Sequence, residues 1–441
     1  MDINMNFCIF FGAYSQYRCY NSNESMPLEE DMKIGAIIAE YNPFHNGHKY
    51  QIETFREKQS LDYVIVIMSG DFTQRGEPAW MPKHLRAKSA LMGGADLILE
   101  LPVYYATGSA QIFAEGAVAH LNALNSVDAL CFGCETMESE TRHLKWLETA
   151  AAVLLEEPES FRENLSKALK SGLSYAAARA KALESFIKTP ELLAMPNNIL
   201  ALEYITALRK THSSIRPIPV RRKGEGYHSK KTDRTFASAS AIRKAFPDIT
   251  PSAPWFSLPD GTQEIIKTHF YKDFPLMPED FSAMFASAFL RSAPDLNQYA
   301  DVTEEISNRM MHCFKKYRTL DDFLLETKNK SCTYSRLCRC AAHILLELRK
   351  DTLIQAKTDG FAYYARILGF REKASPLLGY LKKNTSIPLI TKMASYPKHL
   401  SDNGCHLMEA DIRAADYYRT ALQIKFGQTL KNEFNQEIII L

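Results

Sequence analysis

The stretch from Lys33 to Gln51 decides the fold and reads KIGAIIAEYNPFHNGHKYQ. Ile34 to Ala39 is a short apolar run rich in isoleucine, which predicts a buried β-strand. Glu40 to Pro43 is a polar break at the end of that strand. A helix is expected to begin near Phe44 or His45, because Pro43 has the fixed φ of a helix start and lacks an N–H that would need a partner.

Two histidines follow this turn at a spacing that places them on one face of the helix. His45 and His48 are three residues apart, and Gly47 between them has no side chain to block a ligand. Helix N-termini offer free N–H groups, and imidazoles add donors for a phosphate. An arbitrary histidine pair would more often be a surface or capping pair. The strand, the Asn-Pro turn and the glycine together favour an anion site.

Composition limits the classes of protein that fit this chain. The 441 residues predict about two or three domains. With 46% hydrophobic and 24% charged residues, the chain is typical of a soluble globular protein. The net charge of +2 is small, so any nucleic-acid surface must come from local clusters of cations. No apolar run reaches membrane-spanning length, and we expect a cytoplasmic protein without membrane contact.

The cysteines and the N-terminal segment carry little functional signal. Nine cysteines at irregular spacings indicate a reducing compartment rather than a disulfide framework. Cys131 and Cys134 have a CxxC spacing, but the first lies in an apolar run and no matching second pair exists, so core packing is the favoured interpretation. Residues 1–31 do not resemble a signal peptide, and we expect a disordered extension or an upstream start codon.

From Met32 onward the pattern alternates between strands and helices, which predicts βαβ units on a parallel sheet. Nucleotides bind such sheets at the carboxyl ends of the strands, where the His45 turn lies. A helix is expected from Gly108 to Leu124. The predicted strands are Ile34 to Ala39, Tyr63 to Met68, Asp96 to Glu100, Ala129 to Gly133 and Ile215 to Arg221.

Several loops at predicted strand ends are candidates for function. The second strand opens into SGDFTQRGEPAW, whose polar residues are Asp71, Gln74, Arg75 and Glu77. Gly133 ends the fourth strand, where it would let backbone approach a ligand. Asn197 in the PNN turn either caps the following helix or bonds a nucleotide. A basic stretch then raises the chance of phosphate or RNA contact and contains Arg209, Lys210, Arg216, Arg221, Arg222, Lys223, Lys230, Lys231 and Arg234.

A second phosphate-binding motif follows the basic stretch. Ser238-Ala239-Ser240-Ala241-Ile242-Arg243 places small hydroxyl residues before a helix with a guanidinium in its first turns. Ser238 and Ser240 are candidates to hold the β and γ phosphates of a nucleotide, and Arg243 to neutralise the leaving pyrophosphate. A plain serine N-cap is the alternative. The prolines and glycine of TPSAPWFSLPDG, residues 250–261, predict a domain boundary there.

Residues 262–441 are predicted to be mostly helical. Asp321 to Leu325, Leu337 to Arg349 and Ala410 to Leu422 carry apolar residues at helical spacing. Candidates for a basic RNA face in this part are Arg336, Arg339, Arg366, Arg371, Lys382 and Lys383.

These motifs carry a resemblance to a known family. His-Asn-Gly-His resembles the HxGH motif of the nucleotidyltransferase superfamily, and ASASAIR resembles its second motif. From Met32 almost to the C-terminus the chain resembles the bacterial tRNA(Met) cytidine acetate ligase family. The blocks that carry this resemblance are AEYNPFHNGHKY, SGDFTQRGEPA, GADLILELP, FGCE, PNNILALEY, RRKGEGYHS, ASASAIR, TYSRLCR and YARILGF.

The resemblance implies a fold and an activity. The fold is α/β, with a Rossmann-like parallel-sheet nucleotidyltransferase domain at residues 32–250 and a mostly helical domain at residues 262–441 that helps to bind tRNA. Members of the family use ATP and acetate to form acetyl-adenylate, then transfer the acetyl group to the N4 amine of the wobble cytidine of elongator tRNA(Met). Mg²⁺ bridging the phosphates is expected, although no carboxylate cluster identifies its ligands.

Carried over residue by residue, the resemblance gives a set of site residues. His45, His48 and Arg243 are the catalytic candidates. Lys223 stands where an apolar residue is expected, so its contact with ATP is expected through the backbone. The ATP-binding candidates are Ile38, Ala39, Glu40, Tyr41, Asn42, Pro43, Phe44, His45, Asn46, Gly47, His48, Lys49, Tyr50, Gln51, Gly133, Asn197, Arg222, Lys223, Ser238 and Ser240.

Two alternatives remain open. A small-molecule adenylyltransferase of cofactor synthesis would share both motifs, but the long helical C-terminal region argues against it. A non-catalytic RNA-binding protein on the same fold is disfavoured by the intact His45, His48 and Arg243. The sequence leaves the oligomeric state open.

Overall fold

The predicted strands form the centre of the molecule. A computed structural model describes residues 32–135, 139–223, 236–246, 255–330 and 332–441. The N-terminal segment 1–31, the basic residues Lys230, Lys231 and Arg234, and residues 250–254 of the predicted domain boundary lie outside these residues.

The described part of the chain forms one sheet of eight strands. All five strands predicted from the sequence are confirmed, with ends that differ by one residue at most. The strands are β1 (Ile34–Ala39), β2 (Tyr63–Ser69), β3 (Leu97–Leu101), β4 (Ala129–Cys134), β5 (Arg216–Arg221), β6 (Ala365–Phe370), β7 (Leu389–Ile390) and β8 (Ile439–Ile440).

Helices surround the sheet. The predicted helix over Gly108 to Leu124 is confirmed as α4. The α-helices are α1 (Asn46–Gln59), α2 (Lys83–Met92), α3 (Val103–Ala106), α4 (Ala110–Ala123), α5 (Glu140–Glu156), α6 (Glu159–Lys170), α7 (Tyr175–Leu183), α8 (Pro196–Lys210), α9 (Ala239–Ala245), α10 (Asp260–His269), α11 (Ser282–Ser292), α12 (Glu304–Phe314), α13 (Leu320–Thr327), α14 (Tyr334–Leu345), α15 (Lys350–Thr358), α16 (Ser375–Asn384) and α17 (Asp402–Phe426). Short 3-10 helices are Pro190–Ala194, Trp255–Ser257, Pro278–Phe281, Ala293–Gln298, Glu372–Ala374 and Met393–Lys398.

The strand order β5-β4-β1-β2-β3-β6-β7 places β1 where the direction of winding reverses. From β1 the chain builds outward through β2 and β3 on one side, and through β4 and β5 on the other, with all of these pairs parallel. In open parallel sheets the ligand crevice opens at such a reversal, beyond the carboxyl ends of the strands. The expected site is therefore between the ends of β1 and β4.

The C-terminal part contributes strands that the sequence analysis did not predict. β6 pairs antiparallel with β3, while β7 and β8 pair with β6. The α/β fold with a parallel sheet is confirmed, but the C-terminal region is helical with an extension of the same sheet. Residues Lys33–Leu441 group into one compact unit. The domain limits at residues 250 and 262 stay a prediction.

Two apolar clusters position the elements that carry the motifs. The larger one lies under the sheet and includes Ile37, Phe44, Phe55 and Val66. The smaller one joins α9 to the loop before α2, because Ile242 and Phe246 pack in one cluster with Trp80. No helix in the described ranges is long and apolar enough to cross a membrane.

Candidate active site

The first motif sits at the start of α1, as the sequence predicted, but the helix begins one residue later than expected. His45 is the N-cap in an extended conformation and Asn46 is the first helical residue, so Pro43 lies outside the first turn. Nδ1 of His45 accepts from the Gly47 N–H at 3.1 Å, and Nδ1 of His48 accepts from the His45 N–H at 3.3 Å. The two rings stack with centroids 3.6 Å apart.

These contacts determine where the ring protons lie. Because Nδ1 of each histidine accepts a hydrogen bond, the proton of each neutral ring is on Nε2, which becomes a donor. Nε2 of His45 is buried and has no hydrogen-bond partner among the described residues. His45, the first residue of the motif, therefore presents an unpaired donor next to the free N–H groups of the helix start.

Both imidazoles are neutral at neutral pH. Burial, and next the nearby charge of Arg222, lower the pKa of His45 to about 3. Burial also holds the pKa of His48 well below its ordinary value, with further contributions from His45 and Arg222. Neutral rings still donate through Nε2, so the pair can follow charge that develops on a phosphate. Arg222, the residue directly after β5, therefore acts electrostatically on both rings.

Gly47 fits this arrangement because a side chain would collide with the first histidine. A Cβ at Gly47 would lie 2.9 Å from Cε1 of His45, closer than real Cβ contacts allow. The glycine therefore permits the close stacking of the two rings as well as the approach of a ligand.

The second motif lies against the first. The Arg243 guanidinium donates to the Asn42 carbonyl oxygen at 2.6 Å, and the Asn42 side chain accepts from the Trp80 N–H at 2.8 Å. Ser238 caps α9 by accepting from the Ala241 N–H at 3.3 Å, as one alternative expected. Its hydroxyl is also 3.2 Å from that of Ser240. The structure thus brings Arg243 to the turn that ends in His45, while the roles of both serines toward phosphates stay predictions.

A third group of predicted residues meets at the end of β4. The Arg222 guanidinium donates to Oδ1 of Asn197 at 3.0 Å, and the Asn197 amide donates to Oε1 of Glu135 at 2.6 Å. A Cβ at Gly133 would lie 3.2 Å from Cγ of Arg222, so the glycine leaves room for the arginine. Asn197 is not the cap of α8, since Met195 is the N-cap and Pro196 the first helical residue. Its amide is consequently free to hold the β4 tip.

The side chain of Lys223 also has a contact that the sequence did not predict. Its ammonium lies 4.0 Å from the centroid of the Tyr50 ring, a cation–π contact. Tyr50 is in α1, two residues after His48. The expectation that Lys223 contacts ATP through the backbone stays a prediction.

The SGDFTQRGEPAW loop closes the site on the β2 side. The Gln74 N–H donates to Oε1 of Glu40 at 2.8 Å, which ties the loop to the end of β1. Asp71 is buried and accepts from the Lys83 N–H at 2.9 Å. Asp71 therefore serves the internal structure of the protein, whereas Arg75 is exposed.

A buried ionic cluster occupies the ends of β2 and β3, and we call Lys83, Asp71, Glu100, Arg366 and Glu433 the Lys83 cluster. Nζ of Lys83 lies 2.8 Å from Glu100, 2.9 Å from Glu433 and 3.6 Å from Asp71. Arg366 pairs with Glu100 at 2.6 Å and also with Glu433. The side chain of Arg366 is only 4% exposed, so the prediction that it belongs to an RNA face is wrong.

The remaining candidates for the RNA face differ in their surroundings. Nε of Arg339 pairs with Asp301 at 2.6 Å, and Arg371 lies 3.7 Å from Asp96. Lys382 and Lys383 are exposed. Their contact with RNA, and that of Arg336, stays a prediction.

Cys131 and Cys134 are both buried, which agrees with a role in packing. Burial raises the pKa of the Cys131 thiol to about 12 and that of the Cys134 thiol still further. Nε2 of Gln51 lies 3.6 Å from the Cys131 sulfur. Among the described residues, no group of three or more His, Cys, Asp or Glu side chains is placed to hold a metal ion.

Sequence reasoning missed Arg86 in α2, which is completely buried and bonds to backbone at the ends of both β1 and β2. A signal did exist, because helical spacing places Arg86 on the same face as the buried Ala90, four residues on. A single cation in a helix is usually exposed, so this signal was not decisive.

The fold and the site together define a class of protein. A parallel sheet whose winding reverses at β1, with a His-x-Gly-His helix start at that reversal and a Ser-x-Ser…Arg helix packed against it, is typical of a nucleotidyltransferase. The HIGH Nucleotidyl Transferase family model matches residues 32–433.

Individual relatives agree over most of the chain. A tRNA(Met) cytidine acetate ligase of a Thermoanaerobacter species is 41% identical over 394 residues, which are 88% of this chain and 96% of the relative. Its counterpart in Alkaliphilus metalliredigens is 37% identical over 420 residues, 91% of this chain and 97% of the relative. The chain therefore belongs to the tRNA(Met) cytidine acetate ligase family of HIGH nucleotidyl transferases.

Solved structures show the same fold. Apo TmcAL of Thermotoga maritima superposes with a TM-score of 0.85 at 32% identity, covering 93% of this chain and 100% of that chain. The same Thermotoga protein bound with alpha-thio ATP gives a TM-score of 0.84 at 31% identity, with the same coverage.

Proposed function

We propose that this chain activates acetate with ATP and transfers the acetyl group to the N4 amine of the wobble cytidine of elongator tRNA(Met). The observation that carries the proposal is the unpaired, buried Nε2 donor of His45 at the start of α1. The names of the relatives and the ATP analogue bound by the Thermotoga protein support the choice of substrates.

In the first step, a carboxylate oxygen of acetate attacks the α-phosphorus of ATP. The bond from the α-phosphorus to the bridging oxygen breaks, and pyrophosphate leaves with that electron pair. Nε2–H of His45 and of His48 donates to phosphate oxygens as their negative charge grows, and the N–H groups of the α1 start add to this. Arg243 is the proposed counter-charge for the pyrophosphate. The product is acetyl-adenylate, a mixed anhydride with a good leaving group.

In the second step, the N4 amine of the cytidine attacks the acetyl carbonyl carbon. The bond from that carbon to the phosphate oxygen breaks, AMP leaves, and the amine loses a proton to give N4-acetylcytidine. A wobble base is unpaired in the anticodon loop, so it can reach the site without opening a duplex. Residues 262–441, with exposed cations such as Lys382 and Lys383, are the proposed tRNA-binding part.

The ATP-binding set is proposed as predicted from Ile38 to Gln51, with Gly133, Asn197, Arg222, Lys223, Ser238 and Ser240. The contact between Arg222 and Asn197, 3.0 Å, supports grouping these two residues in one site. Mg²⁺ enters with the phosphates as part of the substrate, and no protein ligand is assigned to it, since no group of three or more His, Cys, Asp or Glu side chains among the described residues is placed to hold a metal ion. The proposed setting is the cytoplasm, where tRNA, ATP and acetate coexist.

The test is incubation of the purified full chain with ATP, labelled acetate, Mg²⁺ and elongator tRNA(Met), omitting each in turn, followed by mass analysis of the nucleosides. We expect label in N4-acetylcytidine that depends on ATP, acetate and the tRNA, and that needs no acetyl-CoA. A tRNA with another anticodon is the matched control. Unlabelled RNA together with pyrophosphate release from another small substrate would favour a cofactor adenylyltransferase instead.

A further inference from the structure

Arg86 is a fully buried arginine whose hydrogen bonds within the described ranges all go to backbone carbonyl oxygens. It is in α2 and 0% exposed. Its guanidinium donates to the carbonyl oxygens of Met81 at 3.0 Å, Glu40 at 2.5 Å and Ser69 at 3.1 Å, and to that of Gly70. Glu40 directly follows β1, Ser69 ends β2 and Gly70 follows it. One side chain thus joins the carboxyl ends of the two central strands.

No carboxylate neutralises this buried charge in an ion pair of the described residues. Burial lowers the pKa of Arg86, and the charge of Asp71 acts in the opposite direction. A buried cation without a paired anion is costly, and an apolar side chain would fill the same space at less cost. A guanidinium, however, has five donors in a fixed plane, which suits a ring of carbonyl oxygens better than an ammonium does.

The bonded carbonyl of Glu40 is next to a strained point of the chain. Tyr41 has a φ of 50°, in the left-handed region that a tyrosine rarely adopts. Its ring is buried and lies 4.7 Å from the ring of His48, centroid to centroid. Asn42 follows, and its carbonyl holds Arg243. Backbone in such a conformation persists when the surroundings fix it from several sides, and Arg86 is one of those contacts.

We propose that Arg86 is a positioning residue for the nucleotidyl transfer. It fixes the Glu40 carbonyl, and through the strained Tyr41 it fixes the Asn42 carbonyl and the start of α1 that carries His45 and His48. The inference rests on the proposed function, because it concerns the alignment of the histidines with the phosphates of ATP. Arg86 does not touch the substrate.

Arg56 provides a matched control at the other end of the sheet. Its guanidinium also donates to backbone carbonyls, those of Leu61 at 3.4 Å, Asp62 at 2.8 Å and Gly94 at 2.9 Å, and it pairs with Asp96. These contacts lie before the amino ends of β2 and β3, away from α1's first turn. An Arg56 variant therefore loses a similar set of bonds without reaching the site.

The experiment compares the full-length wild type with Arg86→Lys and Arg56→Lys. Thermal unfolding is recorded first, and kinetics are then measured at a temperature where all three chains are folded. Because misplacement of a reacting group by about 1 Å lowers the rate about 100-fold, we expect Arg86→Lys to reduce kcat of acetate-dependent ATP–pyrophosphate exchange about 100-fold. KM for acetate should stay within about threefold, and Arg56→Lys should keep kcat within about threefold of wild type.

An equal effect of the two variants on kcat would overturn the proposal, since Arg86 would then serve general stability. If Arg86→Lys does not fold, Arg86→Gln replaces it, because a neutral amide still donates to two carbonyls. Failure of both variants to fold also overturns the proposal.

The proposed function and this inference can fail separately. If the wild type catalyses no acetate-dependent exchange, the proposed function fails. Calorimetric measurement of alpha-thio ATP binding then tests whether Arg86 positions the nucleotide site. Binding about tenfold weaker in Arg86→Lys than in Arg56→Lys supports the inference, and equal binding contradicts it.

Discussion

The same edge of the sheet uses polar side chains in two opposite ways. Beyond β2 and β3, Lys83 forms ion pairs with three carboxylates, and Arg366 pairs with two of the three, so every charged side chain of the Lys83 cluster has a partner of opposite charge. Beyond β1, the buried Nε2 of His45 has no partner in the part of the chain that the structure describes. The first arrangement is closed and holds Glu433, near the end of the chain, against the sheet. The second is open, which is what a ligand requires.

The two regions differ in the free-energy cost of leaving a buried polar group without a partner. A buried charge that loses its partner has no water to replace it, so a closed cluster is strongly coupled to folding. Leaving a neutral imidazole N–H without a partner costs less free energy than leaving a charge unpaired. The residues of the open site are therefore expected to affect binding and catalysis more than folding. Variants in the two regions should therefore separate stability from activity.

The largest effect is expected from Lys83→Met. This variant leaves Asp71, Glu100 and Glu433 with one buried cation fewer, and we expect a loss of about 3–5 kcal/mol in the free energy of unfolding. Urea unfolding followed by circular dichroism measures it. Lys58→Met is the control, because Lys58 forms an exposed pair with Glu140 and should change stability by at most about 1 kcal/mol. Similar losses in both variants would contradict the closed cluster.

His48→Ala should act on the open site instead. Removal of one donor to the developing phosphate charge is expected to slow acetyl-adenylate formation about 100- to 1000-fold. Affinity for tRNA should be nearly unchanged, which gel-shift titration measures alongside ATP–pyrophosphate exchange. His312→Ala, at an exposed position in α12, is the control. Loss of tRNA binding together with adenylation would mean that His48 supports the fold or the RNA surface.

The sequence predicted what local pattern determines. Five strands, the α/β class and the stacked pair of His45 and His48 all follow from residues close to one another in the chain. The cap geometry also depends on His45 to His48 alone, but it was not predicted, since the helix was expected to begin near Phe44 or His45 and His45 is instead its N-cap.

What the sequence did not predict depends on partners far along the chain. β6 is a strand because it pairs with β3, roughly 270 residues earlier, and its ARILGF run lies in an otherwise helical region. Arg366 has the appearance of a surface cation until Glu100 and Glu433 are placed beside it. Arg86 is similar, since Glu40 and Ser69 are distant in sequence.

The free energy of unfolding is expected to depend on pH through His45 in the open site. Its pKa is about 3 in the folded protein, below the ordinary value of 6.5 expected in the unfolded chain. The neutral ring makes its full contribution to the free energy of unfolding above pH 6.5. This contribution is lost as the pH falls toward 3, because the histidine is protonated in the unfolded chain before it is protonated in the folded protein. At pH 4.5, two pH units below the pKa of the unfolded chain, the loss in the free energy of unfolding should reach up to about 2.7 kcal/mol.

His45→Asn tests this directly. Asparagine retains an N-cap oxygen for the Gly47 N–H but does not titrate. Urea unfolding at several pH values should show a smaller loss of stability from pH 7 to pH 4.5 in the variant than in the wild type. Identical pH profiles would mean that His45 is not neutral and buried in solution.

The smallest effect is expected at Ser238, which caps a helix and is also a proposed phosphate-binding residue. As an N-cap it accepts from the Ala241 N–H at 3.3 Å, and Ser238→Ala should cost about 1 kcal/mol of stability. Ser174 caps α7 in the same way, accepting from the Ala177 N–H at 3.4 Å, so Ser174→Ala should have a similar cost.

Only Ser238 belongs to the proposed phosphate site. Loss of one hydrogen bond to a phosphate, about 1 kcal/mol, should raise KM for ATP about fivefold in Ser238→Ala and leave it unchanged in Ser174→Ala. Steady-state exchange kinetics at saturating acetate measure both values. An unchanged KM in both variants would assign Ser238 to the closed, structural kind of polar group, because its hydroxyl would then do no more than cap α9.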